Sequence, residues 1–189
     1  IPVTVKIRKG WDDDSVNAVE VAKICESAGA AAITVHGRTR QQYYKPPVDY
    51  DIIRAVRESV SVPVIANGDI TGGKSAEYMY SATGCDMVSV GRAAEGNPFI
   101  FAEINAYFEK KPYKRPSLEE RLKVLKKQIL LMSEYKDPHI AMLEARKHAA
   151  WYMQGLNGAA ALRRMCGEIG SMADVDNICE KALEQNKDM

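Results

Sequence analysis

The chain has 189 residues, 46% of them hydrophobic, and a net charge of +1 from 26 Lys and Arg against 25 Asp and Glu. This is enough apolar content for one large or two small cores, while the charge balance leaves the partner class open. No apolar run approaches a bilayer span and no basic-then-apolar leader is present, so a cytoplasmic protein with no membrane partner is expected.

Cys25, Cys85, Cys166 and Cys179 are widely spaced without a CxxC pair and are expected to be reduced, buried thiols. The charge is uneven along the chain. Lys110 to Lys147 holds eleven Lys and Arg against five Asp and Glu, which suits either a solvated helix face or a nucleic-acid surface. The chain opens without methionine on an extended Ile-Pro-Val-Thr-Val run, so it is expected to be a piece of a longer protein.

Four short apolar runs end in polar or glycine signatures: Val3 to Arg8, Ile33 to Arg38, Val64 to Asp69, and Val88 to Arg92. Each is nearly all apolar, the pattern of strands covered by helices on both faces. After the first, Asp12, Asp13 and Asp14 offer N-cap oxygens, Ala18, Val21, Ala22, Cys25 and Ala28 keep helical spacing, and Gly29 supplies a stop. After the second comes a polar loop with Tyr43, Tyr44 and Pro46-Pro47, then Asp49 opening a helix with Ile52, Ile53, Val56 and Val60 on one face. Thr71-Gly72-Gly73 turns the chain into a helix carrying Ala76, Met79 and Tyr80 that ends at Gly84, and Asn97-Pro98 reads as N-cap and first helical residue of the next.

Repeated strand-helix units of this length predict a parallel βα architecture, either an open doubly wound sheet or a barrel. Phosphate-binding turns on the last two units favour the C-terminal half of a TIM (β/α)8 barrel, since four units cannot close eight strands. Beyond it the pattern is purely helical. Ser117-Leu118-Glu119-Glu120 has the capping-box form, Leu118, Leu122, Leu125, Ile129 and Met132 form a stripe, Asp137-Pro138 opens a second helix, Gly155 and Gly158 interrupt it, and Ser171 caps the last. The expected domains are residues 1–110, a linker at 111–116, and a small all-α bundle at 117–189.

Lys6 stands inside an apolar strand, where it either snorkels to solvent or offers an ammonium to the carbonyl side of a flavin. Arg8 shares its face. His36 is either a satisfied polar residue or a ligand contact; neither His139 nor His148 has metal-ligand spacing with it, so no metal site is expected. Asn67-Gly68-Asp69 reads as a turn or as an anion nest, and Gly91-Arg92 repeats that logic one unit later. Arg146-Lys147-His148, Trp151-Tyr152 and Arg163-Arg164 place cations beside aromatics, which suits a solvated helix or an RNA surface.

Pro2-Val3-Thr4-Val5-Lys6-Ile7-Arg8 with Gly10-Trp11, Ile33 to Thr39, Pro63 to Ile70, Gly91-Arg92-Ala93 with Gly96-Asn97-Pro98, and Arg146-Lys147-His148 with Trp151-Tyr152 together resemble the tRNA-dihydrouridine synthases, in particular the bacterial B-type, nitrogen-regulation-like branch. The resemblance implies an FMN-binding eight-stranded barrel followed by a helical tRNA-binding domain, reducing a tRNA uridine to 5,6-dihydrouridine with NADPH. The four strands would be the fifth to eighth. Lys6 would meet the flavin ring, His36 the flavin phosphate region, Asn67, Gly68 and Asp69 the ribityl-phosphate side, and Gly91 and Arg92 the phosphate. Candidate RNA contacts are Arg38, Arg40 and Lys45 in or beside the rim stretch Thr39 to Lys45, and Arg146, Lys147, Arg163 and Arg164 on the helices.

In that family hydride goes to uracil C6 and a cysteine protonates C5, but that cysteine lies before the fifth strand. None of the four cysteines here matches its motif, so the fragment is expected to hold no catalytic residue and to be inactive alone. Two alternatives stand beside this reading: another FMN barrel acting on a free pyrimidine, such as a dihydroorotate or dihydropyrimidine dehydrogenase-like protein, and a noncatalytic RNA-binding or assembly module. The unpaired edges of a half barrel also predict a homodimer or a rearranged assembly.

Overall fold

Four parallel strands lie side by side in sequential order in the computed structural model, which describes residues 1–187. They are β1 (Thr4–Arg8), β2 (Ala32–His36), β3 (Val64–Asn67) and β4 (Met87–Ser89), each rich in β-branched or other apolar residues. Between and after them run α1 (Ala18–Ser27), α2 (Tyr50–Ser59), α3 (Gly73–Thr83) and α4 (Ile100–Phe108). A doubly wound sheet reverses its strand order part-way; this one does not. With uniformly right-handed crossovers, sequential order puts every helix on the same side of the sheet, and consecutive helices pack on one another. The fold is α/β, four βα units of the half-barrel kind followed by helices.

This order changes one expectation. The strands are covered on one face only. Ile33, Val35, Val64 and Ala66 face the helices and are fully buried, whereas on the opposite face Lys6 is exposed and Met87 retains 46% of its surface. The all-apolar runs therefore reflect one helix-packed face and one face lined by a mixture of Lys6, Thr34, Ile65 and Met87, which share a register.

Local signals set most helix ends. The Asp49 carboxylate accepts from Ile52 N–H at 3.0 Å and starts α2, and Gly84, at φ 65°, ends α3. Two starts differ from the predicted ones. Asp12 to Asp14 serve a separate 3-10 turn at Asp13–Ser15, where Ser15 Oγ donates to Asp12 Oδ1, and α1 begins later behind Asn17. After Asn97-Pro98 the chain makes a turn, and α4 starts only at Ile100.

The chain divides into two compact units, the first comprising Ile1–Ala93 with Ile100–Pro112, the second Ala94–Phe99 with the residues from Tyr113 onward. Among the described residues the second unit holds four helices: α5 (Leu118–Tyr135), α6 (Pro138–Tyr152), α7 (Ala159–Cys166) and α8 (Met172–Gln185). Ser117 and Glu120 exchange the two capping-box bonds that open α5, Asp137 accepts from His139 and Ile140 N–H groups at the start of α6, and Ser171 caps α8. Leu122, Leu125 and Ile129 pack with Ala145, Leu162, Ile169 and Ile178 in its core. Cys166 and Cys179 lie in that core, where burial pushes each thiol up to about 11. Cys85 is buried in the first unit, Cys25 is partly buried, and all four are free thiols.

Candidate functional site

Parallel register aligns the last residues of the four strands. Arg8 is the partner of His36, His36 of Asn67, and Asn67 of Ser89, so these four side chains form one row on the face away from the helices. Lys6, Thr34, Ile65 and Met87 form the row two residues earlier. Asn67 Nδ2 donates to Ser89 O at 2.9 Å and is thereby oriented. The imidazole of His36 is only 5% exposed, yet it makes no hydrogen bond among the described residues. Burial, followed by the charges of Arg8, Lys6 and Arg38, pushes His36 down to about 4, so it is neutral at physiological pH, with one nitrogen to donate and one to accept. Burial and the neighbouring Arg8 likewise lower the Lys6 ammonium below its ordinary value.

Above this row three guanidinium groups tie the strand-end loops together. Arg8 Nη1 donates to Thr39 O at 2.8 Å and to Tyr43 O at 3.2 Å. Arg38 grips Asp69 with both terminal nitrogens, at 2.8 and 2.5 Å, and its Nε donates to Lys45 O at 2.8 Å. Arg92 Nη2 donates to the same Asp69 carboxylate at 2.7 Å, while its guanidinium lies 4.2 Å from the centroid of the Tyr44 ring. The Arg38 hydrogen bonds, ahead of the charges of Arg38 and Arg92, hold the Asp69 carboxyl below the usual range.

Two glycines make this layout feasible. A Cβ at Gly37 would stand 2.6 Å from the Asp49 carbonyl oxygen, and one at Gly68, whose φ is 149°, would stand 2.8 Å from Val48. The close approach at Gly37 is thus by the returning loop, and both glycines let that loop close over the strand ends. Gly91 differs, since a Cβ there would meet nothing within 4 Å.

The model of the family described as "Dihydrouridine synthase (Dus)" matches residues 1–188. The chain belongs to the dihydrouridine synthase family. It is 42% identical over 97% of its length to a "Probable tRNA-dihydrouridine synthase" of Rickettsia conorii, covering 55% of that protein. It is 41% identical over 87% of its length to "tRNA-dihydrouridine synthase B" of Pasteurella multocida, covering 50% of it, and 38% identical over 99% to "Probable tRNA-dihydrouridine synthase 1" of Synechocystis, covering 53%. The similarity to proteins named as type B agrees with a B-type assignment. The chain spans about half the length of the curated relatives it matches.

Of the flavin-site residues expected from the sequence, Lys6, His36 and Asn67 occupy the open rows, while Asp69 and Arg92 are held in the guanidinium frame. The RNA-contact residues separate. Arg38 does not lie on a surface: it is 1% exposed and its guanidinium is taken up by Asp69 and Lys45 O, because a buried cation requires a hydrogen-bonded counter-charge. Arg40 and Lys45 are exposed, Arg40 lying 6.0 and 5.9 Å from the Trp11 and Tyr43 ring centroids. In the second unit Lys147, Arg163 and Arg164 are exposed, Lys147 lying 4.9 Å from the Trp151 centroid, whereas Arg146 is half-buried with Nε donating to Ile169 O at 3.0 Å.

Sequence inspection misses the tying role of Arg8, the stacking of Tyr44 and the anchoring of Asn67 by Ser89. Only the shared face of Lys6 and Arg8 hints at any of these. Among the described residues no helix is long and apolar enough to cross a membrane.

Proposed function

We propose that this chain supplies the flavin-binding half of a barrel and the helical tRNA-binding part of a flavin-dependent enzyme that reduces uridine in tRNA to 5,6-dihydrouridine with NADPH. The observation that carries the reading is the open row at the strand ends, where the unpartnered His36 imidazole and the Lys6 ammonium stand beside a guanidinium-rich frame. These residues fit FMN chemically. A phosphate monoester needs cations and approachable backbone, which Arg92 and Gly91 offer; a flavin also needs a hydrogen-bonding group at the carbonyl edge of its ring system, which Lys6 offers, and polar groups along its ribityl-phosphate side, which His36 and Asn67 offer.

Bound FMN, reduced by NADPH, would supply the hydride for the uracil 5,6 double bond. The chain's own groups would bind and orient. Lys6 would offset negative charge at the carbonyl edge of the ring, neutral His36 would bond the phosphate region, and Asn67, fixed by Ser89 O, would hold the ribityl side with Gly68 and Asp69. Gly91 would let the phosphate reach the backbone and Arg92 would neutralise it. The carboxylate of Asp69 cannot face a phosphate directly, so its contribution would come through Arg92. Arg40, Lys45, Lys147, Arg163 and Arg164 would contact tRNA phosphates, and cytoplasmic tRNA is the substrate this implies.

No cysteine lies in either strand-end row, and the four present sit in or beside helices or at a strand entry. We therefore infer that this chain alone lacks the proton donor for C5 and forms no dihydrouridine. The free edges of β1 and β4, each paired on one side only, are inferred to be self-association surfaces. The test is direct: the purified chain is titrated with FMN by flavin fluorescence and incubated with FMN, NADPH and unmodified tRNA. Weak FMN binding without dihydrouridine is expected. Appreciable dihydrouridine formation would refute the inactivity, and no FMN binding would count against the flavin site.

A further inference from the structure

Arg38 is the largest fully buried side chain among the described residues, and its guanidinium is taken up by Asp69 and Lys45 O. Its partner, Asp69, is a non-glycine residue in the left-handed region, at φ 49°, so this strand end is held in a backbone conformation that few residues adopt unaided. Asp69 in turn holds Arg92, which is half exposed at 50% and whose remaining N–H groups meet no acceptor among the described residues. An anion approaching Arg92 therefore approaches a carboxylate too. Such a site attracts an anion only if that carboxylate is already neutralised from behind.

We propose that Arg38 is a positioning residue for the phosphate site: by neutralising Asp69 from the buried side it leaves the charge of Arg92 available to an incoming phosphate group, and through Lys45 O it makes the rim stretch 39–47 part of the same frame. Without Arg38, Arg92 and Asp69 would form a neutral pair and the net charge at the site would fall by one. With Arg38 present, a phosphate locks Arg92 between itself, Asp69 and the Tyr44 ring. Anion binding and order in the rim stretch are then reciprocal, and phosphate loading prepares the rim that carries Arg40 and Lys45. The choice of FMN as ligand rests on the flavin reading above; the neutralisation itself does not.

The experiment titrates the chain, and its Arg38→Gln, Asp69→Asn and Arg38→Gln/Asp69→Asn variants, with FMN, riboflavin and inorganic phosphate. Amide hydrogen exchange of residues 38–47 and 91–94 is followed alongside. Wild type is expected to prefer FMN over riboflavin at least tenfold. Arg38→Gln should lose that preference with riboflavin affinity changed less than twofold, and the double variant should recover the preference to within about threefold of wild type. A merely structural role predicts no recovery, because the double variant lacks the same hydrogen bonds. Failure of the double variant to recover, or an unchanged preference in Arg38→Gln, overturns the proposal.

If wild type binds neither flavin, the flavin reading fails, and inorganic phosphate decides this one: protection of 38–47 that is lost in Arg38→Gln and regained in the double variant supports it, and absent protection in wild type overturns it. If Arg38→Gln does not fold, the double variant decides, because it leaves no buried cation unpaired. It has the wild-type net charge at the site and should keep the wild-type preference, and a tenfold loss of that preference overturns the proposal.

Discussion

Arg8 and His36 are register partners at the ends of adjacent parallel strands, and the guanidinium of one helps to keep the imidazole of the other unprotonated. Burial is the larger cause, followed by Arg8, Lys6 and Arg38, with Asp69 opposing. Because His36 is pushed down to about 4 in the folded chain and would return towards 6.5 on unfolding, the unfolded state binds more protons between those values. Its contribution is therefore fully present above about pH 6.5 and is lost as pH falls towards 4. In total this is worth at most roughly 3.5 kcal/mol, since each tenfold change in proton affinity corresponds to about 1.4 kcal/mol. Urea unfolding of wild type and His36→Asn should diverge over this window, wild type losing stability more steeply on acidification. Parallel curves, or a His36 ring titrating near 6.5 by NMR, would contradict the stated environment.

Ser117 satisfies a backbone donor that otherwise has no partner at the start of α5, accepting from Glu120 N–H at 3.2 Å while the Glu120 carboxylate accepts from Ser117 N–H at 2.7 Å. Ser117→Ala should cost about 1 kcal/mol of stability, read as a lower urea midpoint with an unchanged slope. Because the box lies on the surface, flavin affinity should be unaffected.

That capping box is readable from four consecutive letters, as are the Asp49, Asp137-Pro138 and Ser171 starts, because a cap depends on atoms within a few residues of each other. The strand ends are readable because apolar runs stop where the chain leaves the sheet. Arg38 is not, since its burial depends on Asp69, thirty-one residues away, and an isolated His-Gly-Arg suggests a surface cation. The late start of α4 is hidden for a similar reason. Gly96, at φ 67°, lies so close to the Trp151 backbone that a Cβ would stand 2.6 Å from its carbonyl carbon, and this long-range packing outweighs the Asn97-Pro98 signal. The open strand face likewise follows from strand order, which no single run encodes.

The helical cations separate by burial, and their variants should separate too. Lys147→Glu, Arg163→Glu and Arg164→Glu, combined, should weaken tRNA binding and flatten its salt dependence, by about 0.7 to 0.9 in the log–log slope for each phosphate that is no longer neutralised. Arg146→Glu should instead lower the thermal midpoint, since its Nε is bonded to Ile169 O inside the bundle. Filter binding over a salt series measures the first effect and calorimetry the second. Unchanged, salt-insensitive binding in the triple variant would remove these residues from the interface.

The sheet edges make a further prediction. β1 and β4 each leave one row of backbone donors and acceptors unpaired, and beside them the face carrying Met87 and Ile65 is not covered by helices. Two copies that meet there would pair edges and bury those side chains, whereas a lysine at position 87 would bring a second cation to the row that already holds Lys6. Multi-angle light scattering of the chain should show a concentration-dependent mass of about twice the single-chain value or more. Met87→Lys should move it towards the single chain, without change in helix content by circular dichroism. A monodisperse monomer at every concentration would mean that twist and the exposed Lys6 already protect these edges.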